Sequence, residues 1–551
     1  MNRSQLGHRL LRQLVKPGEQ AFHKHSRNLE YSQKKRLTGI LRQVAAVSGE
    51  RASWHGRWDW KTFTSTQPVT VYADWKQGIE QQMSRGNPVL SSSPISRYQP
   101  TSGSSSAIKW IPYTRQFLTE LDGAIAPWMS DLYRQYPRIG HGRHYWSLSW
   151  LPTNMRRDSS THLNDDMKLL SFGKRALMTH TQAVPEGVAL APSSDDAMFA
   201  TLAHLAAAPD LAMLSVWSPT FALGLLENLA RWREPLVEVL ATGHWGHRED
   251  ALAPLQAPYS RLAARKLAAW DGKLCSDFFR VLWPDLALVS AWGTAAAAPW
   301  ASELRKWLPH ADFQGKGLWA TEGVITIPRG EHHVLAANSH VYEFEVTATG
   351  KIIAPWEAEP GQEVSPLITT GSDLLRYRLG DQLRVTGHIE GAPCLQFLGR
   401  GNTVDLVGEK TDAVAVQRWL DGIEWPADIR PVTILGTNNG GATGRPGYVL
   451  VIDVPVSNGT HVWQNHERQW ARELEHFMLN SFHYRLARDL GQLDPVRCVC
   501  QASAYEVYVN ACRERGMIDG NIKVEALKHW PSSLPETFQV KVTVSAMERM
   551  V

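Results

Sequence analysis

The sequence predicts a mixed α/β protein with a large N-terminal domain and a smaller C-terminal one, and three observations predict it. The chain has 551 residues, beyond the roughly 250–300 at which single hydrophobic cores tend to split. Through the first half, helical patterns alternate with short apolar runs, as expected where helices cover buried strands. Between Gly323 and Phe397 the texture changes to short β-rich runs, and it changes again after Gly399-Arg400-Gly401. That second change places the junction near Arg400, with domains 1–399 and 400–551.

The elements follow in order. The stretch through Arg42 is rich in Lys and Arg, including Lys34, Lys35 and Arg36. It alternates with apolar residues in a helical rhythm, which reads as a solvated helix face before a binding patch. "FATLAHLAAAPDLAMLSVWSPTFALGLLENLARWREPLVEVLATG" reads as a helix, a buried strand over Leu211 to Trp217, then helices punctuated by Pro219 and Pro235. "DLALVSAWG", Asp285 to Gly293, is a second buried strand. "VITIP", "HVYEFEV", "PLITT" and "DQLRVTG" form a sheet or distorted barrel. "VTILGT" and "YVLVIDV" are strands flanking a loop from Asn438 to Gly447, whose glycines suit phosphate but whose place between adjacent strands suits a hairpin turn. "HERQWARELEHFMLNSFHYRLARDL" reads as one long helix.

Composition narrows the function. Lys and Arg number 58 against 54 Asp and Glu, a net +4 that demands no nucleic acid. The 23 tryptophans suggest aromatic-lined pockets as well as core. No run of about 18 apolar residues marks a membrane span. Arg3, Arg9, Arg12 and Lys16 interrupt any signal-peptide core, so a cytoplasmic protein is expected. The five cysteines lack the spacing of a disulfide framework. Cys498 and Cys500 raise a metal reading, opposed by the lack of a second pair and by a strand placement expected to point the two thiols both ways.

The chemistry begins at "TSGSSSAIKWIP". A linker would continue in Ser, Gly and Pro, whereas apolar residues follow at once on both sides of Lys109. Thr101, Ser102, Ser104 and Ser105 offer hydroxyls, Gly103 frees backbone amides, and Lys109 adds charge. Such groups can cradle phosphate oxygens, although no Gly-Lys-Ser/Thr ends the loop as in a P-loop. "LWATEG" sets Thr321 and Glu322 ahead of a β run, "YRLGD" sets Asp381 in a turn between strands, and "FLGRGNTVDLVGEKT" supplies Arg400 and Lys410. Singly, each has an ordinary reading: Glu322 a surface acid, Asp381 a turn former, Arg400 a rim charge, Lys410 a solvated lysine.

In order, these segments resemble the motifs of the auxin-responsive-promoter acyl-acid amido synthetases, the Gretchen Hagen three family of adenylate-forming enzymes. "TSGSSSAIKWIP" is similar to a family TSGTTGxxKxIP, "WATEG" to an aromatic followed by SEG or SSE, and "YRLGD" to YRxGD. "VYEFEV" and "LNSFHYRLARDL" extend the likeness over nearly the whole chain. Two departures stand out. Ser106 and Ala107 replace a further family glycine, and Lys523, in "GNIKVEA", lacks the Pro-Arg of the family's Lys-Pro-Arg-like motif.

The resemblance implies a two-domain, firefly-luciferase-like fold with a mobile C-terminal domain, and an ATP-dependent ligase that is most simply a monomer. A carboxylic acid attacks the α-phosphate of ATP, and an amino acid's amine then displaces AMP to form an amide. It implies that Thr101 to Ser105 and Lys109 hold phosphate, that Glu322 helps hold Mg2+, that Asp381 anchors ribose, and that Arg400 and Lys410 serve the nucleotide at the junction. Adenine is expected against Ser290, Trp292 and Gly293 and the second motif, Ala320 and Thr321. Trp217 and Trp319 are expected to line an apolar acyl pocket, with core packing the ordinary reading of Trp217. Lys523 is the expected mobile catalytic lysine. Transfer to a thiol, and a non-catalytic protein of the same fold, are the alternatives.

Overall fold

A computed structural model of the chain describes residues 3–45, 59–86, 89–90, 92–100, 109–147, 150, 172–401, 403–407, 409–438, 444–456, 463–515, 517, 522–530 and 534–538. The described residues form two compact units, one running to Phe397 and one from Leu398 onward.

At the heart of the first unit lies a four-stranded sheet of Arg143–Trp146, Leu211–Ser215, Leu288–Ala291 and Asp312–Gly315, adjacent in that order and all parallel. Every residue of the second and third strands is buried, as continuous apolar runs require where both sheet faces are covered. Intervening helices start where the sequence signals them. Ser193 caps Ser194–Ala206 by accepting from the Asp196 amide at 3.0 Å, and Pro219 opens Pro219–Arg231, where its missing N–H costs nothing. Pro235 falls in the first turn of Arg233–Thr242, a tolerated place.

The helix Arg115–Gln135 is the axis of this unit, capped by Thr114 accepting from the Phe117 amide at 3.1 Å. The N-terminal helix Arg3–Arg27 buries Leu11, Val15 and Phe22, and a Cβ at Gly18 would sit 2.4 Å from that of Ala126. Only glycine permits so close an approach to the axial helix. The β-rich segment forms one eight-stranded sheet, within which Val341–Val346 pairs antiparallel with Glu363–Thr369. Two-stranded hairpins join Ile95–Pro100 to Trp110–Thr114 and Trp319–Ala320 to Gly323–Val324.

In the second unit, Arg430–Thr437 and Gly447–Asp453 pair antiparallel, flanked by Leu527–His529 and Arg497–Gln501. The Asn438 to Gly447 loop therefore closes a hairpin, with residues 439–443 outside the described set. Two expectations are corrected here. The long C-terminal helix divides into Gln464–Met478 and Phe482–Asp489. Asn480 and Ser481 favour leaving a helix, and the break lets the Tyr484 hydroxyl donate back to Glu475 Oε2 at 2.9 Å. Cys498 and Cys500 do not point both ways, because residues two apart on a strand share a face, and the neighbouring Cys500 thiol adds to the rise that burial gives the Cys498 pKa. Among the described residues no helix is long and apolar enough to cross a membrane.

Candidate active site

In open α/β sheets, ligands bind outside the carboxyl ends of the strands. Here those ends carry Trp146, Trp217, Trp292 and Lys316, each at or just beyond the end of a parallel strand. The Trp217 ring lies 5.8 Å from Trp292 and 5.7 Å from Trp319. Trp319 also lies 5.6 Å from Trp128 of the axial helix, as does Trp146. Trp217, Trp292 and Trp319 are half-buried, whereas Trp128 and Trp146 are buried. The sequence analysis thus named three members of an aromatic cage and missed Trp128, Trp146 and the lysine within it.

The Glu322 carboxylate occupies the turn of the Trp319–Val324 hairpin, 8 % exposed. Tyr377, from "YRLGD", donates its hydroxyl to Glu322 Oε1 at 3.3 Å. Burial raises the pKa of Tyr72, and the charges of Glu80 and Glu322 add to that rise. The Tyr72 oxygen accepts from the Trp110 amide at 2.8 Å, and Lys109 Nζ lies 5.7 Å from its ring centroid. Tyr72, which carried no motif of its own, thereby holds both ends of the Lys109–Trp110 step. Gly380, at φ +82, turns the chain between Tyr377–Arg378 and the strand that Asp381 opens, and Asp381 is 6 % exposed. Thr101, Ser102, Gly103, Ser104 and Ser105 lie outside the described residues, as do Ser106 and Ala107.

Behind the hairpin, one carboxylate ties the motifs together. Glu120, fully buried on the axial helix, accepts from the Gly371 amide at 3.0 Å, Gln116 Nε2 at 3.0 Å and His340 Nδ1 at 2.8 Å. The other ring nitrogen of His340 faces Gly323, where a Cβ would stand 2.9 Å from it. Tyr113 donates to the Thr321 carbonyl at 3.0 Å, and Ser372 donates to that of Pro112 at 2.5 Å. Ala320 and Thr321 are half-buried. Ser290 is wholly buried beside them in sequence with Trp292 and Gly293, and Gly293 packs so close to Phe313 that a Cβ would meet the ring at 3.0 Å.

The remaining predicted residues belong to the second unit. Arg400 ends the strand Ala392–Arg400 and is half-buried. Lys410 is exposed at φ +48, a backbone state uncommon for a non-glycine residue. Its neighbour Glu409, which the sequence analysis passed over, is buried and accepts from the amides of Leu406 and Val407 at 2.9 and 2.8 Å. Lys523 is half-buried, and its carbonyl accepts from Tyr508 at 3.2 Å. Among the described residues no three His, Cys, Asp or Glu side chains gather as a metal site. A single buried carboxylate still fits Mg2+, which is commonly held by one or two carboxylates and the phosphates it accompanies.

Two family models match in tandem, the GH3 family N-terminal domain over residues 18–313 and the GH3 family central domain over residues 333–400. The chain belongs to the GH3 family. Its GH3 relatives include the indole-3-acetic acid-amido synthetase GH3.3 of Arabidopsis thaliana, 26 % identical over 440 residues that span 71 % of each chain. The jasmonoyl-L-amino acid synthetase JAR6 of Nicotiana attenuata is 23 % identical over 66 % of this chain and 68 % of its own. Among solved structures, AtGH3.15 acyl acid amido synthetase in complex with 2,4-DB superposes with a TM-score of 0.76 over 95 % of both chains at 18 % identity, a likeness of fold.

Proposed function

We propose that this GH3 protein is an ATP-dependent ligase that adenylates a carboxylic acid and passes the acyl group to the amine of an amino acid. The observation that carries this reading is the convergence of all three motif segments on one hairpin: Tyr377 of the third motif donates to Glu322, and Tyr113, directly after the first motif, donates to the Thr321 carbonyl. In the first step a carboxylate oxygen of the acid attacks the α-phosphorus and pyrophosphate leaves. In the second, the neutral amine attacks the acyl carbon and AMP leaves as the amide forms.

The charge that builds on phosphate oxygens calls for preorganised donors and cations. Lys109 supplies a cation, and Thr101 to Ser105 supply hydroxyls and amides on this reading. Glu322, kept in a buried turn, would hold the Mg2+ that enters with ATP and offsets phosphate charge. Asp381 would accept from the ribose hydroxyls, and Ser290, Trp292, Gly293, Ala320 and Thr321 would flank adenine. Trp217 and Trp319 would line the acyl site. Residues 1–399 would bind nucleotide and acid, while residues 400–551 would contribute Arg400, Lys410 and the mobile Lys523. A monomer in a reducing cytoplasm suits this assignment.

The test incubates purified protein with ATP, Mg2+, a panel of aryl, indolyl and aliphatic acids, and pooled amino acids, followed by mass spectrometry. An amide appearing with AMP and pyrophosphate is expected. AMP release that depends on a thiol and not an amine would overturn the amide assignment, and nucleotide binding without pyrophosphate release would overturn catalysis.

A further inference from the structure

The register of the parallel sheet places an unexpected polar row under the aromatic cage. Trp146, Ser215, Ser290 and Gln314 are directly paired across the four strands. Paired residues of neighbouring strands project from the same face of a sheet, so these side chains share one face at the carboxyl ends. Lys316, just past the last strand and 4 % exposed, donates from Nζ to Ser215 Oγ at 2.9 Å. Its ammonium lies 4.2 Å from the Trp217 ring centroid, 5.0 Å from Trp128 and 5.7 Å from Trp146.

An apolar acyl site needs none of this. Cation–π contact with three rings and the Ser215 hydroxyl hold this ammonium at the site. Two further polar atoms of the row have no hydrogen-bond partner among the described residues: Ser290 Oγ, on a residue that is wholly buried, and Trp146 Nε1. Orphaned donors in a buried row are expected where a ligand completes them.

The cage and the Glu322 turn belong to one short hairpin, with Trp319 at its start and Glu322 three residues on. If phosphate lies by Lys109, Tyr72 and Glu322, the reacting carboxylate points there and the remainder of the acid points toward the tryptophans. We propose that Lys316 is the specificity-determining residue of the acyl site. It selects aromatic acids that carry a hydrogen-bond acceptor, a phenol oxygen, ketone or second carboxylate, at the end remote from the reacting carboxylate. The flat Trp217 and Trp319 rings suit the aromatic body, and Lys316 suits the acceptor. This inference rests on the assignment of Trp217 and Trp319 to the acyl site.

The experiment measures direct binding by calorimetry, so turnover is not required, for phenylacetate, 4-hydroxyphenylacetate and 4-carboxyphenylacetate in the presence of AMP. The expected result is about tenfold tighter binding of the two acceptor-bearing acids, the strength of one charge-assisted hydrogen bond. Lys316→Met should bring the three affinities together, Lys316→Arg should retain the preference for the carboxylate, and AMP affinity should stay unchanged in both. Ser215→Ala, which leaves the cage intact, serves if Lys316→Met does not fold, and should reduce the preference. An unaltered preference in Lys316→Met or, failing its folding, in Ser215→Ala overturns the proposal, as does wild-type protein that binds phenylacetate equally well or binds none of the three. Trp217→Ala separates the two claims. If it leaves every acid unaffected, the acyl-site assignment itself fails; if it weakens all three while Lys316→Met leaves their ratio intact, only the role of Lys316 fails.

Discussion

The two ends of the parallel sheet are built on different principles. At the amino ends, polar groups are matched to fixed partners: His8 bonds to Tyr133 at 2.8 Å and to the Gly142 carbonyl at 2.7 Å, His144 bonds to the Ile139 carbonyl at 2.8 Å, and Arg143 pairs with Asp210. At the carboxyl ends, a caged ammonium, half-buried tryptophans and the unsatisfied hydroxyl of Ser290 share the same strands. Buried polar groups are mostly hydrogen-bonded, so one held short of satisfaction, such as the Ser290 hydroxyl, calls for an explanation, and a bound ligand is one. The amino ends also hold buried polar atoms without a hydrogen-bond partner among the described residues, Gln182 Nε2 and His310 Nδ1, so it is the caged cation and its aromatic rings that set the carboxyl ends apart.

The change expected to disturb this division most is Glu120→Ala, because Glu120 supports the Trp319–Val324 hairpin from within the core through His340. It would strip His340, Gln116 and the Gly371 amide of a shared acceptor. Breaking such a buried set costs roughly 3–5 kcal/mol, read as a lower urea midpoint, with activity lost as the hairpin loosens. Glu322→Ala should do the reverse, leaving the urea midpoint within error while cutting ATP–pyrophosphate exchange about 100-fold, the scale of one lost electrostatic contact to the transition state. A fall in both together would mean that the Glu322 turn is structural.

Asp381→Ala should raise the KM for ATP about tenfold through a lost charge-assisted hydrogen bond, with little effect on the KM for the acid. Equal effects on both substrates would erase the distinction between nucleotide and acyl ends. The smallest expected effect tests the amino ends by pH. Burial lowers the His8 pKa from 6.5 to about 4. The unfolded chain takes up a proton that the folded chain refuses between those values, so this stability is complete above pH 6.5 and is lost as pH falls toward 4. The loss by pH 5.5 is about 1 kcal/mol, and urea titrations of His8→Asn should show a shallower dependence than wild type. An unchanged slope would remove His8 from the account.

What could be read in the sequence were features written in consecutive residues. "LAMLS" and "LVSA" announced buried strands by unbroken apolarity, and Pro219 and Pro235 announced helix starts by their local backbone preferences. The motif segments announced Lys109, Glu322 and Asp381. The break at Asn480 and Ser481 was the one place where local signal was present and outweighed by an amphipathic pattern that ran across it. Lys316 carried no such signal: a lysine between two glycines reads as a loop residue until the sheet register brings Ser215 to its ammonium, 101 residues away.

Sequence alone determined the fold class, the order of the motifs and the family they belong to, because periodicity, turn chemistry and short motifs are properties of neighbouring residues. Tertiary structure decided that Glu120 joins His340 and Gly371 across 220 and 251 residues, that Tyr377 bonds to Glu322, and that a cation lies under the tryptophans. Those are facts of distance and burial, and they arise only when strands align in register and bury polar atoms beside one another.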